Sequence, residues 1–214
     1  ARVGRGAALH ISEFLREEAI QAAEQSIDGV KQVSDIVLAM KEFSHPVHKD
    51  AAPVDLNRVL ERSSVVCKSE WKQVAELIFD IDKSLPAITG HEGALNQVVL
   101  NLIVNAAHAI QYKGPEMGTI TLRTQHDGES VRLEVEDSGT GIPENIRDRI
   151  FEPFFTTKDV GRGTGQGLAL VHDIVVNKHG GWIELDSSVG IGTTVIVKFP
   201  IEKQDLEAAE IDEL

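Results

Sequence analysis

Apolar residues recur at intervals of three and four over the first part of the chain. Ile20, Ala23, Ile27, Val30, Val33, Val37 and Met40 are separated by Glu17, Glu24, Asp28, Lys31 and Asp35. This pattern predicts a long amphipathic helix from about Glu13 to Phe43 with a single apolar stripe. Gly29 weakens it by up to ~1 kcal/mol relative to alanine. So narrow a stripe on so long a helix suits packing against another helix better than against a sheet. His45-Pro46 ends it, because the residue before a proline is driven out of the helical region. After a linker at Val47–Pro53 the pattern changes. Helices are predicted over Leu56–Lys68, His91–Ala109 and Gly167–His179, and strands over Gln73–Asp80, Thr119–His126, Ser130–Asp137, Trp182–Ser187 and Thr193–Phe199. Asp127-Gly128 forms the turn of a hairpin. Helices and strands in this order predict an α/β two-layer sandwich, a mixed sheet with helices on one face. The chain is thereby divided into a helical segment at 1–46, a globular domain at 53–200 and an acidic tail at 201–214.

Composition narrows the function. The 214 residues carry a formal net charge of -13, which disfavours sequence-independent nucleic-acid binding and attachment to an anionic membrane. The lone cysteine, Cys67, excludes an internal disulfide and a thiolate zinc cluster, and its neighbours Val65 and Val66 mark it as an inert, half-buried thiol. No apolar run approaches the ~20 residues of a membrane span, and the opening residues lack the apolar core of a signal peptide. The expected setting is the cytoplasm, with no nucleic acid and no membrane contact by this segment.

Three polar clusters interrupt the apolar pattern. On the helix His91–Ala109, Asn101, Asn105 and His108 share one face. The rest of that helix is apolar (Leu95, Val98, Val99, Leu102, Ile103). Carboxamide oxygens are good hard ligands for Mg²⁺, but amides in such a place also cap or bridge loops, and the pattern leaves both open. Asp137-Ser-Gly139-Thr-Gly141-Ile142-Pro143 closes a strand. Its glycines allow a sharp turn and close approach of a ligand, and Asp137 is placed to accept from an exocyclic amine; an ordinary Asp/Gly turn reads the same way. In the third cluster Gly161, Gly163, Gly165 and Gly167 alternate through GRGTGQG and enter a helix at Leu168, with Lys158 and Arg162 alongside. Freed backbone amides at a helix N-terminus suit a phosphate chain. The spacing is neither that of a Walker loop nor that of the dinucleotide fingerprint, and a glycine linker remains the alternative.

In chain order NLIVNAAHAI, DSGTGIP, FEPFFTTK, GRGTGQGLAL and GIGTTVIVKFP resemble the N, G1, F and G2 boxes and the closing strand motif of the histidine-kinase catalytic domain. That domain is a branch of the GHKL (Bergerat-fold) ATP-binding superfamily, and the resemblance covers Pro53 to Pro200. It implies ATP and Mg²⁺ as cofactors, with Asn105 as the metal ligand, Asn101 on the phosphate side and His108 as a phosphate neighbour. It further implies Asp137, Gly139, Gly141, Ile142 and Thr193 at the adenine. Lys158, Arg162, Gly163, Thr164, Gly165, Gln166, Gly167 and Leu168 would lie along the phosphates and the lid. In that lid, Phe151 to Gly167, Phe154 and Phe155 would be an apolar latch. Gln166 departs from the leucine common at its position. Hydrolysing relatives carry a glutamate where this chain has Asn101, which cannot act as a base. Phosphoryl transfer to a presented nucleophile is therefore expected rather than hydrolysis.

The family's acceptor histidine sits on the first helix of a dimerising hairpin, followed by an acidic residue and usually Asn-Pro. None of the eight histidines has that context, whereas the helix ending at Pro46 resembles the second helix of the hairpin. The resemblance therefore implies a protein-histidine kinase region that lacks its acceptor and cannot phosphorylate itself. Its partners would be a response-regulator receiver domain and, in a full-length protein that could be membrane-anchored, a second copy joined through the hairpin. The alternatives are a GHKL-type ATPase and a nucleotide-dependent dimerisation module.

Overall fold

Residues 51–158 and 163–201 are described by the structure, a computed structural model, together with Arg16, Glu18 and Ala19, which are helical. The remainder of the predicted N-terminal helix and the tail beyond Ile201 lie outside the described residues. The chain divides into two compact units, one of Val47–Phe155 with Gly165–Leu214, the other of Ala1–Pro46 with Thr156–Thr164.

The larger unit runs β1 (Ala52–Val54), α1 (Leu56–Val66), α2 (Lys68–Trp71), β2 (Ala75–Ile81), β3 (Ile88–Gly90), α3 (Glu92–Lys113), β4 (Gly118–His126) and β5 (Ser130–Asp137). A 3-10 turn (Glu144–Arg149), α4 (Gly167–His172), a π-helical turn (Asp173–Lys178), β6 (Trp182–Ser188) and β7 (Gly192–Pro200) complete it. Five strands form one sheet in the order β2-β4-β5-β7-β6. Only β2 against β4 is parallel; the other pairings are antiparallel. In the β5/β7 register Val131, Leu133, Val135 and Asp137 face Phe199, Val197, Val195 and Thr193. The first three pairs are apolar and lie under the helices, so Asp137 and Thr193 fall at the end of a core row.

Alternation sorts the two faces of the sheet. Ile120, Leu122, Val131, Leu133 and Val197, all 0% exposed, meet Val98, Val99 and Ile103 of α3, also 0% exposed. The opposite face is a ladder of charges, in which Arg123 pairs with Asp80, Glu134 and Glu136, Arg132 with Glu134, and Lys198 with Glu184. This is the expected two-layer α/β sandwich.

Several elements depart from the sequence pattern. α3 continues past Ala109 to Lys113 and stops at Gly114, whose φ of 152° suits glycine. By length (22 residues) and mean hydropathy (1.3) α3 would pass for a membrane span, a property that inspection of apolar runs overlooked because Asn101, Asn105 and His108 break them. Here it is the central core helix. The predicted helix at 167–179 is helical in two parts, α-helical to His172 and π-helical after it. β1 and β3, which form a separate antiparallel pair, were not anticipated, and β1 begins in the last two residues of the predicted linker. Cys67 is more buried than expected, 4% exposed. Its Sγ–H points at the Ser63 carbonyl, 3.1 Å away, and burial pushes the thiol up to about 11; the inert reading holds.

Candidate functional site

Asp137 leaves β5 where the sheet ends and the glycine loop begins. Its Oδ1 accepts from the Gly139 N–H at 2.7 Å, an Asx turn that fixes the carboxylate. Only 9% of the residue is exposed, and that burial drives the carboxyl from 3.8 up to about 6, opposed by the N–H bonds of Gly139 and Thr193 and by the charge of Lys113. A carboxylate held this dry is a strong acceptor for a neutral donor such as an amino group.

The glycines here are required by contact. A Cβ on Gly139 would lie 2.6 Å from the Ala109 Cβ, and one on Gly141 (φ +69°) would lie 2.1 Å from the Ser188 carbonyl oxygen. The loop is thus pressed between α3 and the β6–β7 hairpin. Thr140 N–H donates to Ala109 O (3.2 Å) and Gly190 N–H to Thr140 O (2.7 Å). Ser187, buried on β6, closes the network: its Oγ accepts from Ile142 N–H at 2.8 Å and lies 3.1 Å from Gly192 O and 2.9 Å from Thr193 Oγ1. Arg147 reaches Ile142 O and Ser187 O, and Lys113 Nζ donates to Ser138 O and Ile191 O. Sequence reasoning missed Ser187, Arg147 and Lys113. A serine in the inward row of β6, where Ile183 and Leu185 precede it, was the one readable signal.

The other half of the site lies on α3. Asn101 and Asn105, one turn apart, are met by Gly167 at the start of α4: a Cβ there would stand 3.4 Å from Asn101 Oδ1 and 3.5 Å from Asn105 Nδ2. Two motifs 62 residues apart in sequence therefore converge. The Asn101 Nδ2 is buried without a hydrogen-bond partner, which is costly for an amide and marks a place where a polar ligand group fits. His108 is half-buried one turn beyond Asn105, and Leu168 packs partly against the core. Gln166 precedes α4, and its carbonyl accepts from Leu170 N–H at 2.9 Å.

The glycine segment is anchored at one end. Gly165 (φ +67°) sits so close to Phe154 that a Cβ would be 2.4 Å from the Phe154 carbonyl carbon, and Phe154 itself has φ 66°. Phe154 is 70% exposed. Phe155 lies under the Arg149 guanidinium, 4.6 Å from the ring centre. In the smaller unit Lys158 N–H donates to Thr156 Oγ1, Gly163 has no room for a side chain against Lys158 and Thr156, and burial lowers the Lys158 pKa. Thr164 belongs to the same unit, and Arg162 lies outside the described residues. A cleft of about 230 Å³ touches Asp137 and Thr193 but also the outward Glu136 and Asp186, and none of Asn101, Asn105 or Gly167. It is acidic and unsuited to a triphosphate.

The profile of the family described as "Histidine kinase-, DNA gyrase B-, and HSP90-like ATPase" matches residues 90–203, more than half of the chain and all of the candidate site. The chain belongs to this family. Among curated proteins it is 36% identical to the sensor histidine kinase ZraS of Escherichia coli over 86% of the chain and 38% of that protein. It is 41% identical to the sensor kinase CckA of Brucella abortus over 86% and 21%, and 33% identical to the sensory histidine kinase/phosphatase NtrB of Rhodobacter capsulatus over 94% and 58%. The chain thus spans under two thirds of each relative. Among solved structures it is similar to the catalytic domain of histidine kinase ThkA (TM-score 0.62, 29% identity, 71% of this chain and 96% of that one). It also resembles full-length ShkA in complex with AMPPNP (TM-score 0.69, 27% identity, 86% and 38%). The GHKL sandwich and the ATP-binding region of sensor histidine kinases, anticipated from the ordered boxes, are what this chain carries.

Proposed function

We propose that the chain binds Mg-ATP between α3 and the glycine segment and transfers the γ-phosphate to a histidine on a helical hairpin, for relay to a response-regulator receiver domain. The observation that carries this reading is the convergence of Gly167 on Asn101 and Asn105, with the orphaned Asn101 amide between them and the dry carboxylate of Asp137 at the other end. Adenine would lie against Asp137, Gly141, Ile142 and Thr193, its amino group donating to the carboxylate. The triphosphate would run toward Asn101, Asn105 and the amides from Gly165 to Leu168.

Asn105 would hold Mg²⁺. Among the described residues no group of three or more His, Cys, Asp or Glu is gathered for a metal; the Asn105 amide would serve together with phosphate oxygens, as at magnesium sites on nucleotides. When bound, the ion supplies neutralisation of charge on the transferring phosphoryl group. The protein's own part is to orient: Asp137 fixes the base, and Asn101 donates toward the phosphates. With Asn101 where hydrolysing relatives carry a carboxylate, the position one turn before Asn105 offers no base to deprotonate water, which favours transfer over hydrolysis.

None of the eight histidines has the acidic and Asn-Pro context of the family's acceptor, so the acceptor would be presented by another helix. Residues 1–46 would contribute the second hairpin helix and the dimer contact, 53–200 the catalytic domain and 201–214 an acidic tail. The domain would work in the cytoplasm without touching membrane or nucleic acid. The test is incubation with γ-labelled ATP, Mg²⁺ and separately added acceptor hairpins from the sensor kinases it resembles. Acid-labile, alkali-stable label on a hairpin histidine is expected, with none on the chain itself. Absence of label from every hairpin, with inorganic phosphate released instead, contradicts the proposal.

A further inference from the structure

His179 follows the π-helical turn, and both of its ring nitrogens are engaged. Nδ1 lies 2.8 Å from the Ile174 carbonyl oxygen, and Nε2 lies 3.1 Å from the His91 backbone N–H. A carbonyl can only accept and a backbone N–H can only donate. The ring is therefore the neutral Nδ1–H tautomer, its Nε2 lone pair turned to His91. The fold makes room for it: a Cβ on Gly90 would sit 2.8 Å from two ring atoms, while His91 and Phe199 meet the ring edge-on at centroid distances of 5.6 and 5.8 Å.

His91 is the N-cap residue of α3, and its N–H is satisfied by a side chain from the far end of the helix that begins at Gly167. α3 and the α4–π segment thus run antiparallel and meet at two places. At one, Gly167 packs beside Asn101 and Asn105; at the other, about 18 Å away for twelve helical residues, His179 is bonded to His91. A π-helical turn shifts the phase of the residues beyond it, and here that shift delivers His179 to α3.

We propose that His179 is a positioning residue, a neutral imidazole bridge that sets the register of the Gly167 helix along the Asn101/Asn105 helix and thereby the width of the phosphate side of the site. This rests on the nucleotide reading above. Protonation of Nε2 would set an N–H against an N–H and release the bridge. Burial already holds the imidazole below its ordinary value, and the charges acting on it, His91 from α3 and Lys178 from its own turn, push the same way. The carboxylate nearest His91 in sequence, Glu92, is paired with Arg62. The bridge is therefore made at neutral pH and lost in acid.

The test titrates a fluorescent ATP analogue with Mg²⁺ into the whole chain as wild type, His179→Gln and His179→Asn, with unfolding temperatures recorded in parallel. Glutamine keeps an acceptor at the reach of Nε2, whereas asparagine keeps only a donor at the reach of Nδ1. Asparagine should weaken nucleotide affinity about tenfold, the scale of one orphaned buried donor, and glutamine should restore most of it. Histidine-selective ¹⁵N NMR of the wild type at neutral pH should show His179 as the neutral Nδ1–H tautomer, and that measurement decides should either variant not fold. An Nε2–H tautomer, or an asparagine variant that melts earlier yet binds as tightly as wild type, overturns the proposal. A wild type that binds no nucleotide contradicts the nucleotide reading itself.

Discussion

Replacing Asp137 with asparagine separates what this carboxylate does for the fold from what it does for a ligand. Asparagine is isosteric, and its Oδ1 can keep the 2.7 Å bond from Gly139 N–H. What changes is the charge. Raising the carboxyl from 3.8 to about 6 means that the folded state bears about 3 kcal/mol for holding it ionised at neutral pH. The new Nδ2 has no ready acceptor and returns about 1–2 kcal/mol of that. Asp137→Asn is therefore expected to stabilise the nucleotide-free chain by about 1–2 kcal/mol at pH 7.5, a rise of ~2–4 °C in Tm for each kcal/mol in a chain of this size. The pH dependence fixes the cause. Because the folded pKa lies above the unfolded one, wild-type Asp137 is least costly below pH 3.8, and the cost grows from there to pH about 6, above which it is complete. The advantage of the variant should accordingly vanish by pH 4.5 and level off above pH 7. Urea unfolding of both proteins at pH 4.5, 6 and 7.5 measures this, and the same samples give the affinity for a fluorescent ATP analogue, which should fall at least about tenfold through loss of a charged acceptor. A variant that is less stable at every pH, or a difference that does not change with pH, refutes the burial argument. A variant that binds nucleotide as tightly as wild type refutes the adenine assignment.

For the wild type, nucleotide affinity should decline as pH drops below about 6, where protonation removes the Asp137 acceptor, with calorimetry at pH 5 and 7.5 as the check. Asn105→Asp, which places a carboxylate beside phosphates, should weaken ATP binding or alter its Mg²⁺ dependence in a metal titration; no change in either makes Asn105 structural. Gly141→Ala, which forces a methyl into the Ser188 carbonyl at a φ of +69°, should lower the unfolding temperature and the nucleotide affinity together. Ile103→Ala at a 0% exposed position of α3 should cost about 2–5 kcal/mol in denaturant unfolding. Cys67, with its thiol at about 11, should resist alkylation at pH 8 in the native chain and react rapidly in urea.

Much of the framework is legible because it rests on local rules. The strands at 118–126 and 130–137 and their turn follow from strict alternation around Asp127-Gly128, since one face of the sheet is apolar and the other a charge ladder. α3 announces itself through its apolar surface, and the Asn101–Asn105 pair stands out against it. What could not be read is what depends on distant partners. β1 and β3 are three residues each, too short for any period to register. The π-helical turn has no pattern that distinguishes it from the α-helix before it. Ser187 and Lys113 reach the glycine loop from 45 and 25 residues away, and Arg147, five residues past Ile142, ties it to Ser187 40 residues on; no spacing rule reaches so far. The left-handed backbone of Phe154 against Gly165, which leaves its ring exposed, has no signature in the sequence either.

The central claim is that one nucleotide spans the gap from Asp137 to the Asn101–Asn105–Gly167 contact. Backbone amide NMR shifts recorded on the isotope-labelled chain during titration with a non-hydrolysable Mg-ATP analogue test it most directly. The account predicts saturable changes concentrated on Asn101, Asn105, Asp137, Gly139, Gly141 and Gly167, with the phosphate-side subset lost when EDTA removes the metal. Changes confined to the charged outer face of the sheet, around Arg123, Glu134 and Lys198, or no saturable change at all, would contradict it.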